Sequence, residues 1–295
     1  MRVLIAGASG LIGTELSRQL EEAGHTVLRL VRSEPRTSGE IRWDPAGAGL
    51  AAGVLDGVDA VVNLSGASLA RLPWTPAYRR EILRSRVRAT RALTDAMRQS
   101  ATPPAVLLNA SAIGIYGNRP GETLTEESPP AQDFLAGVVS AWEREALRAP
   151  EQTRVVTFRT GLVLERGGAL KPLLPIVRLG LGGPLGRGTQ HWSWISLHDE
   201  AAAIVHLLTS TLSGPVNLVG PTPATANDVI RAVARALHRP FFIPVPEFVL
   251  TLALQDAARQ LLLADQQVSS AKLQADGFVF THRTAAEAVD HMLRA

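Results

Sequence analysis

The sequence predicts an α/β protein: a doubly wound parallel sheet followed by a small, mostly helical C-terminal lobe. Three features carry this expectation. Short β-rich runs alternate with helical patterns through the first half of the 295 residues, as expected for a parallel sheet covered by helices. A glycine-spaced turn follows the first run directly, and after residue 165 the alternation gives way to glycine-rich and then helical sequence.

Taken in order, strands are expected at 3–6, 26–31, 60–64, 105–109 and 155–159, with helices between them at 14–23, 76–98 and 134–148. The long helix has the clearest signals. Thr75 is placed to cap it, Pro76 takes the first helical position, and Ile82, Leu83, Val87, Leu93 and Met97 form an apolar stripe. It also carries seven arginines (79, 80, 84, 86, 88, 91 and 98), readable as an anion-binding row or as a solvated face. Glycines 167, 168, 180, 182, 183, 186 and 188 are too dense for regular structure and describe a loop that must bend or approach a neighbour closely. Beyond it come a helix at 198–209, a strand at 215–219, a helix at 227–238 behind a Thr225 cap, a proline-broken apolar segment at 241–263 and a closing helix at 285–293. On this reading residues 1–165, joined by 198–222, form a nucleotide-binding domain, and 166–197 with 223–295 form a substrate-side loop and lobe.

Composition narrows the chemistry. The chain is 46% apolar, 19% charged and free of cysteine, which excludes disulfides, thiolate nucleophiles and cysteine-held metal centres. Only Lys171 and Lys272 are lysines among 30 basic residues. The pI near 9.9 therefore accompanies a net charge of only +3, because arginine keeps its proton far above lysine. No apolar run reaches about 18 residues, and the first one ends at Gly7, too early for a signal peptide. A cytoplasmic location with no membrane partner is the expectation. The seven histidines show no metal-ligand spacing, and the arginine helix lacks the interleaved aromatics of a nucleic-acid surface.

The run Gly7-Ala8-Ser9-Gly10-Leu11-Ile12-Gly13 lies between the first strand and the first helix. In that setting glycines serve a tight turn, close backbone approach to a pyrophosphate and helix packing, while the helix N-terminus offers free N–H groups. Gly7, Ser9, Gly10, Leu11, Ile12 and Gly13 are therefore expected to cradle a dinucleotide in a Rossmann-type fold. About twenty residues on, where an NAD enzyme carries Asp or Glu for the ribose 2′-hydroxyl, this chain has Arg32, with Arg36 close behind. A guanidinium suits a 2′-phosphate, so NADP(H) is the expected cofactor. Leu64, Ser65 and Gly66 supply small residues where the cofactor would cross the strand ends.

With these words in place, the chain resembles the extended short-chain dehydrogenase/reductase superfamily. Supporting motifs are Gly7-x-x-Gly10-x-x-Gly13, Asp59-Ala60-Val61-Val62-Asn63-Leu64-Ser65-Gly66 and Ser111-Ala112-Ile113-Gly114-Ile115-Tyr116-Gly117. More closely it is similar to an epimerase-like subfamily of unassigned substrate. Arg42-Trp43-Asp44-Pro45, Leu124-Thr125-Glu126-Glu127-Ser128-Pro129, Trp142-Glu143, Trp192-Ser193-Trp194-Ile195 and Ala275-Asp276-Gly277-Phe278 carry that likeness over nearly the whole chain. The resemblance implies cofactor-contacting roles for Glu81, Arg86 and Leu162, and a possible homodimer through the two long helices.

Superfamily catalysis uses a Tyr-x-x-x-Lys pair whose lysine lowers the tyrosine's pKa. None exists here. Four residues after Tyr78 is Ile82 and after Tyr116 is Pro120, while four before the lysines stand Gly167 and Val268. Alignment through Glu143 puts Leu135 and Val139 at the tyrosine and lysine positions. The remaining candidate proton carriers are Ser111, Tyr116, His191, His198 and Asp199, each with an ordinary structural alternative. Arg187, Gln190, Trp192 and Trp194, on the glycine lead-in, are either a substrate mouth or a plug between sheet and lobe. The expected function is an NADP-dependent oxidoreductase or epimerase with atypical proton chemistry, acting on a small molecule; the alternative is a catalytically silent NADP-binding sensor.

Overall fold

The computed structural model describes residues 1–294 of the chain. In the first half, β1 (Arg2–Ala6), α1 (Leu11–Glu22), β2 (Thr26–Val31), β3 (Glu40–Arg42), β4 (Ala60–Asn63), α2 (Pro76–Gln99) and β5 (Val106–Ala112) follow one another. Then come β6 (Thr123–Leu124), α3 (Phe134–Ala146), β7 (Arg154–Thr160), β8 (Leu162–Leu164), α4 (Leu173–Arg178), β9 (Trp194–Ser196), α5 (Leu197–Thr209) and β10 (Gly214–Leu218). The chain closes with α6 (Ala226–Ala236), α7 (Glu247–Leu254), β11 (Gln267–Val268), α8 (Ala271–Ala275) and α9 (Ala285–Arg294).

Seven strands form one parallel sheet in the order β10-β7-β5-β4-β1-β2-β3. Strand order reverses between β1 and β4, so a crevice opens past their carboxyl ends, the place where such sheets bind ligands. Register brings Ala6 beside Asn63, Asn63 beside Asn109, and Ala112 beside Thr160. The sheet is buried on both faces, hence its nearly continuous apolar strands. Val3, Ile5, Val62, Leu108 and Phe158 pack with Leu16 and Leu20 of α1 and Ile204 and Leu207 of α5. Leu4, Leu28, Val61 and Leu107 pack on the other face with Leu93 and Met97 of α2. Each such side chain contributes about 1.5–3 kcal/mol when fully buried.

The local signals act as their chemistry dictates. Thr75 accepts the Tyr78 N–H at 3.2 Å ahead of Pro76, and Thr225 forms a reciprocal capping box with Asp228 at the start of α6. Helix α1 begins at Leu11, three residues before its expected start, because Gly10 itself is the N-cap. The segment expected to be only a proline-broken apolar stretch holds α7 and one π-helical turn over Ala258–Leu262. Strand β3 and the two-stranded pairs β6–β11 and β8–β9 are too short for a period-2 pattern.

The glycine loop is a close-approach device. A Cβ on Gly183 would overlap the Ile243 carbonyl, and one on Gly188, at φ +72°, would overlap the Asn227 side chain. The seven arginines of α2 divide by environment. Arg79 pairs with Asp256 at 2.7 Å and Arg91 with Glu145 at 2.7 Å, Arg86 is half-buried, and Arg80, Arg84 and Arg88 are exposed beside Glu81. Arg98 is exposed near the C-terminal end of α2. Among the described residues no helix is long and apolar enough to cross a membrane.

Candidate active site at the strand-end crevice

The glycine turn is shaped by contact on all sides. Gly7 has φ +88°, and a Cβ there would come within 2.9 Å of the Leu64 carbonyl carbon; a Cβ on Gly13 would overlap the Gly7 carbonyl oxygen. Gly10 starts α1 with no side-chain cap, so the first N–H groups of the helix remain open to an anion. Ser9, Gly10 and Leu11 are exposed and Ile12 is half-buried. The tight turn that these glycines permit against Leu64 and within the loop itself is the shape of a pyrophosphate cradle. At the end of β2, Arg32 is exposed and has no ion-pair partner among the described residues.

Across the crevice, Asn63 at the end of β4 donates to Thr90 Oγ1 at 2.9 Å and Asn109 Oδ1 at 2.7 Å, and its own Oδ1 accepts the Ser65 N–H at 3.1 Å. Trp142 Nε1 also donates to Thr90, at 2.9 Å. This buried network fixes the Leu64-Ser65-Gly66 turn to α2 and α3. Arg86 lies against that turn, donating to the Ala67 carbonyl at 3.1 Å, with its guanidinium 5.0 Å from the Trp142 ring centroid. Among the described residues no carboxylate pairs with it, and burial pushes its pKa down to about 10. Glu81 is exposed on the outer side of α2, whereas Leu162 begins β8 with its N–H on the Ser193 carbonyl at 2.7 Å.

At the ends of β5 and β7 a second network replaces the expected proton carriers by a closed circuit. Ser111 donates to Glu143 Oε1 at 2.6 Å. Arg159 holds the same carboxylate at 2.9 and 3.0 Å and donates to the Tyr116 hydroxyl at 2.9 Å, which in turn donates to Asn217 Oδ1 at 2.7 Å. Tyr116 is completely buried and Ser111 is 3% exposed; burial raises the phenol's pKa despite the adjacent guanidinium. As a correction to the sequence expectation, neither presents a free proton to the crevice. Asp199, also fully buried, accepts the Thr281 and His282 N–H groups at 2.8 and 3.0 Å, so it ties the C-terminal segment to α5. His191 bonds Asp265 at 2.8 Å, and His198 lies 3.7 Å from Glu15.

The substrate-mouth expectation also gives way for three residues. Trp192 Nε1 donates to the Leu262 carbonyl, Trp194 Nε1 to the Thr222 carbonyl, and Gln190 to the carbonyls of Leu185 and Leu262. All three are buried, because large rings with one polar atom seal the junction of sheet and lobe. Arg187 remains exposed. A cavity of about 390 Å³ lies between the turn after β5, the start of α3 and the lobe, lined in part by Gly114, Asp133, Leu135, Asp256, Arg259 and Gln260.

Residues 3–220 match the model of the NAD dependent epimerase/dehydratase family, and residues 245–292 match a domain of unknown function, DUF1731. The chain belongs to the NAD dependent epimerase/dehydratase family. It is 40% identical to "Epimerase family protein Mb2239" of Mycobacterium bovis, over 98% of this chain and 96% of that one. The structure of human epimerase family protein SDR39U1 with NADPH is 33% identical and superposes with a TM-score of 0.91, covering 100% of this chain and 99% of that one. At 22% identity and a TM-score of 0.74, the Thermus thermophilus UDP-glucose 4-epimerase complex with NAD shares the fold, with 100% of each chain covered.

Leu135 and Val139, expected at the superfamily's tyrosine and lysine positions, are 5% and 4% exposed. Leu135 packs with Trp74, Ile82 and Ala257, and its N–H donates to Gln260 Oε1 at 3.0 Å. Glu143, Arg159 and Asn217 were not legible as one unit, since they meet only through the pairing of β7 with β10, strands distant in the chain, and the packing of α3 against them. Sequence reasoning also missed Glu200 of α5, a carboxyl on a helix face otherwise formed by Ala203, Ile204 and Leu207; a charge on an apolar periodicity was the available signal.

Proposed function

We propose that this protein is an NADP-dependent oxidoreductase or epimerase of the extended short-chain dehydrogenase/reductase type that does not use a Tyr-Lys pair. The observation that carries the reading is the exposed Arg32 at the end of β2, without an ion-pair partner among the described residues, one strand from an uncapped helix N-terminus that follows a tight glycine turn. Similarity to a human relative with NADPH supports the same choice.

When bound, the nicotinamide supplies or accepts hydride. The chain's own residues do the rest. Gly7 to Gly13 hold the pyrophosphate against α1, Arg32 meets the 2′-phosphate, and Arg86 gives the Leu64-Ser65-Gly66 wall a positive charge. Leu135 gives the cavity an apolar wall beside Gln260, Asp133 and Asp256, whose side chains also hold the Leu135 N–H, the start of α3 and Arg79 respectively.

Two measurements test this reading: NADPH fluorescence on titration with the protein, and oxidation of bound NADPH in the presence of a carbonyl and sugar-nucleotide panel. Binding with turnover of any panel member supports the enzyme; absence of NADPH binding overturns the reading. The closed circuit around Ser111 and Tyr116 favours a second reading, a silent NADP sensor, which tight binding without turnover and a redox-dependent partner would support.

A further inference from the structure

Glu200 has no assigned role and its environment calls for one. It lies on α5 with no solvent exposure, and its only partner among the described residues is the Thr160 hydroxyl, which donates to Oε1 at 2.6 Å. Oε2 is buried with no hydrogen-bond partner. A buried unpaired oxygen of this kind costs stability and asks for a functional account. Thr160 is half-buried at the carboxyl end of β7, level with Ala112 of β5, on the same edge of the sheet from which the crevice opens. The carboxyl is thus one hydrogen bond from the carboxyl ends of the strands.

The charges around it are committed elsewhere. On α1, Glu15 is held by Arg18 and Gln19. On α5 itself, Asp199 binds the Thr281 and His282 N–H groups, His198 faces Glu15, and His206 bonds Asp276. On β7, Arg159 points to Glu143, and Arg154 donates to the carbonyls of Leu207, Leu208 and Leu212. His282 and His291, from the lobe, stack on one another and face Asp199 and His198. Burial, opposed only by the Thr160 hydroxyl, pushes Glu200 up to about 8, so the acid is neutral at pH 7 until a positive charge arrives nearby.

We propose that Glu200 is a proton store coupled to the redox state of the cofactor, protonated beside a neutral reduced nicotinamide and ionised beside a cationic oxidised one, with Thr160 as its outlet. The proposal rests on the reading that a nicotinamide dinucleotide occupies this crevice. A unit positive charge nearby lowers a buried acid's proton affinity tenfold or more. The store would therefore gain or lose its proton in step with hydride transfer, in a site where the usual tyrosine is absent.

The test is isothermal titration of the protein with NADP⁺ and with NADPH at pH 7, each in two buffers of different ionisation enthalpy, to count protons. The 2′-phosphate is common to both ligands, so its contribution cancels in the difference. NADP⁺ should release about half a proton more than NADPH does, and Glu200→Gln should abolish that difference while both ligands still bind. Thr160→Val, which removes the one bond steadying the carboxylate, should shrink it. Equal proton counts in the unmodified protein, or a difference that survives Glu200→Gln, overturns the proposal. Failure of both ligands to bind overturns the cofactor reading, and the store with it.

Discussion

Arg159 grips both oxygens of Glu143, at 2.9 and 3.0 Å, across the ends of β7 and α3. The pair is nearly buried, with side-chain exposures of 7% and 14%, and Ser111 and Tyr116 complete it. It ties α3 to the carboxyl ends of β5 and β7 through a buried ion pair. Breaking a buried pair from one side leaves an unpaired charge, at a cost of about 3–5 kcal/mol. Arg159→Met should therefore lower unfolding free energy in urea by about that amount, and Arg159→Met with Glu143→Leu should recover part of the loss.

The phosphate cradle makes a steric prediction. Gly13→Ala places a methyl on the Gly7 carbonyl oxygen and should weaken NADPH binding by at least about tenfold, or about 1.4 kcal/mol, as read by fluorescence titration. Gly137→Ala is the contrast. Its Cβ meets nothing within 4 Å on the exposed side of α3, so it should leave NADPH affinity unchanged and raise stability by up to about 1 kcal/mol.

Glu200 predicts a pH dependence of stability. Burial raises its folded pKa to about 8 from the ordinary 4.5, so between those values the folded state holds a proton that the unfolded state has released. Stability contributed by this group is complete below pH 4.5 and is lost as pH rises towards 8. Glu200→Gln should thus gain in melting temperature over the unmodified protein as pH rises from 5 to 8. A parallel pair of melting curves across that range would contradict it.

Trp194 is nearly completely buried and sealed by its bond to the Thr222 carbonyl. Trp194→Ala should cost about 3–5 kcal/mol, measured by denaturant unfolding, because the ring fills the junction of sheet and lobe.

Much of this was legible in the sequence, for local reasons. The β2 span of Thr26–Val31 coincides with its expected bounds, and Thr75-Pro76 starts α2 where a cap and a fixed φ dictate. The glycine turn was legible because a phosphate cradle is built from adjacent residues. What escaped reading is what long-range packing decides. Tyr116 reaches Asn217 and Gln190 reaches the Leu262 carbonyl, contacts 101 and 72 residues apart in the chain. The tryptophans of 192 and 194 fit a mouth or a plug equally well by composition, and only the carbonyls opposite their indole nitrogens decide between them. Strand β3 was invisible because three residues paired to one neighbour carry no periodicity.

The central claim is that Arg32 makes this crevice an NADP site. The measurement that tests it most directly is the affinity of the protein and of its Arg32→Ala variant for NADPH and NADH side by side. Loss of a charge-assisted phosphate contact, worth about 1.5–3 kcal/mol, should weaken NADPH about 10- to 100-fold and leave NADH essentially unchanged. An unaltered NADPH-to-NADH ratio in Arg32→Ala would contradict the account.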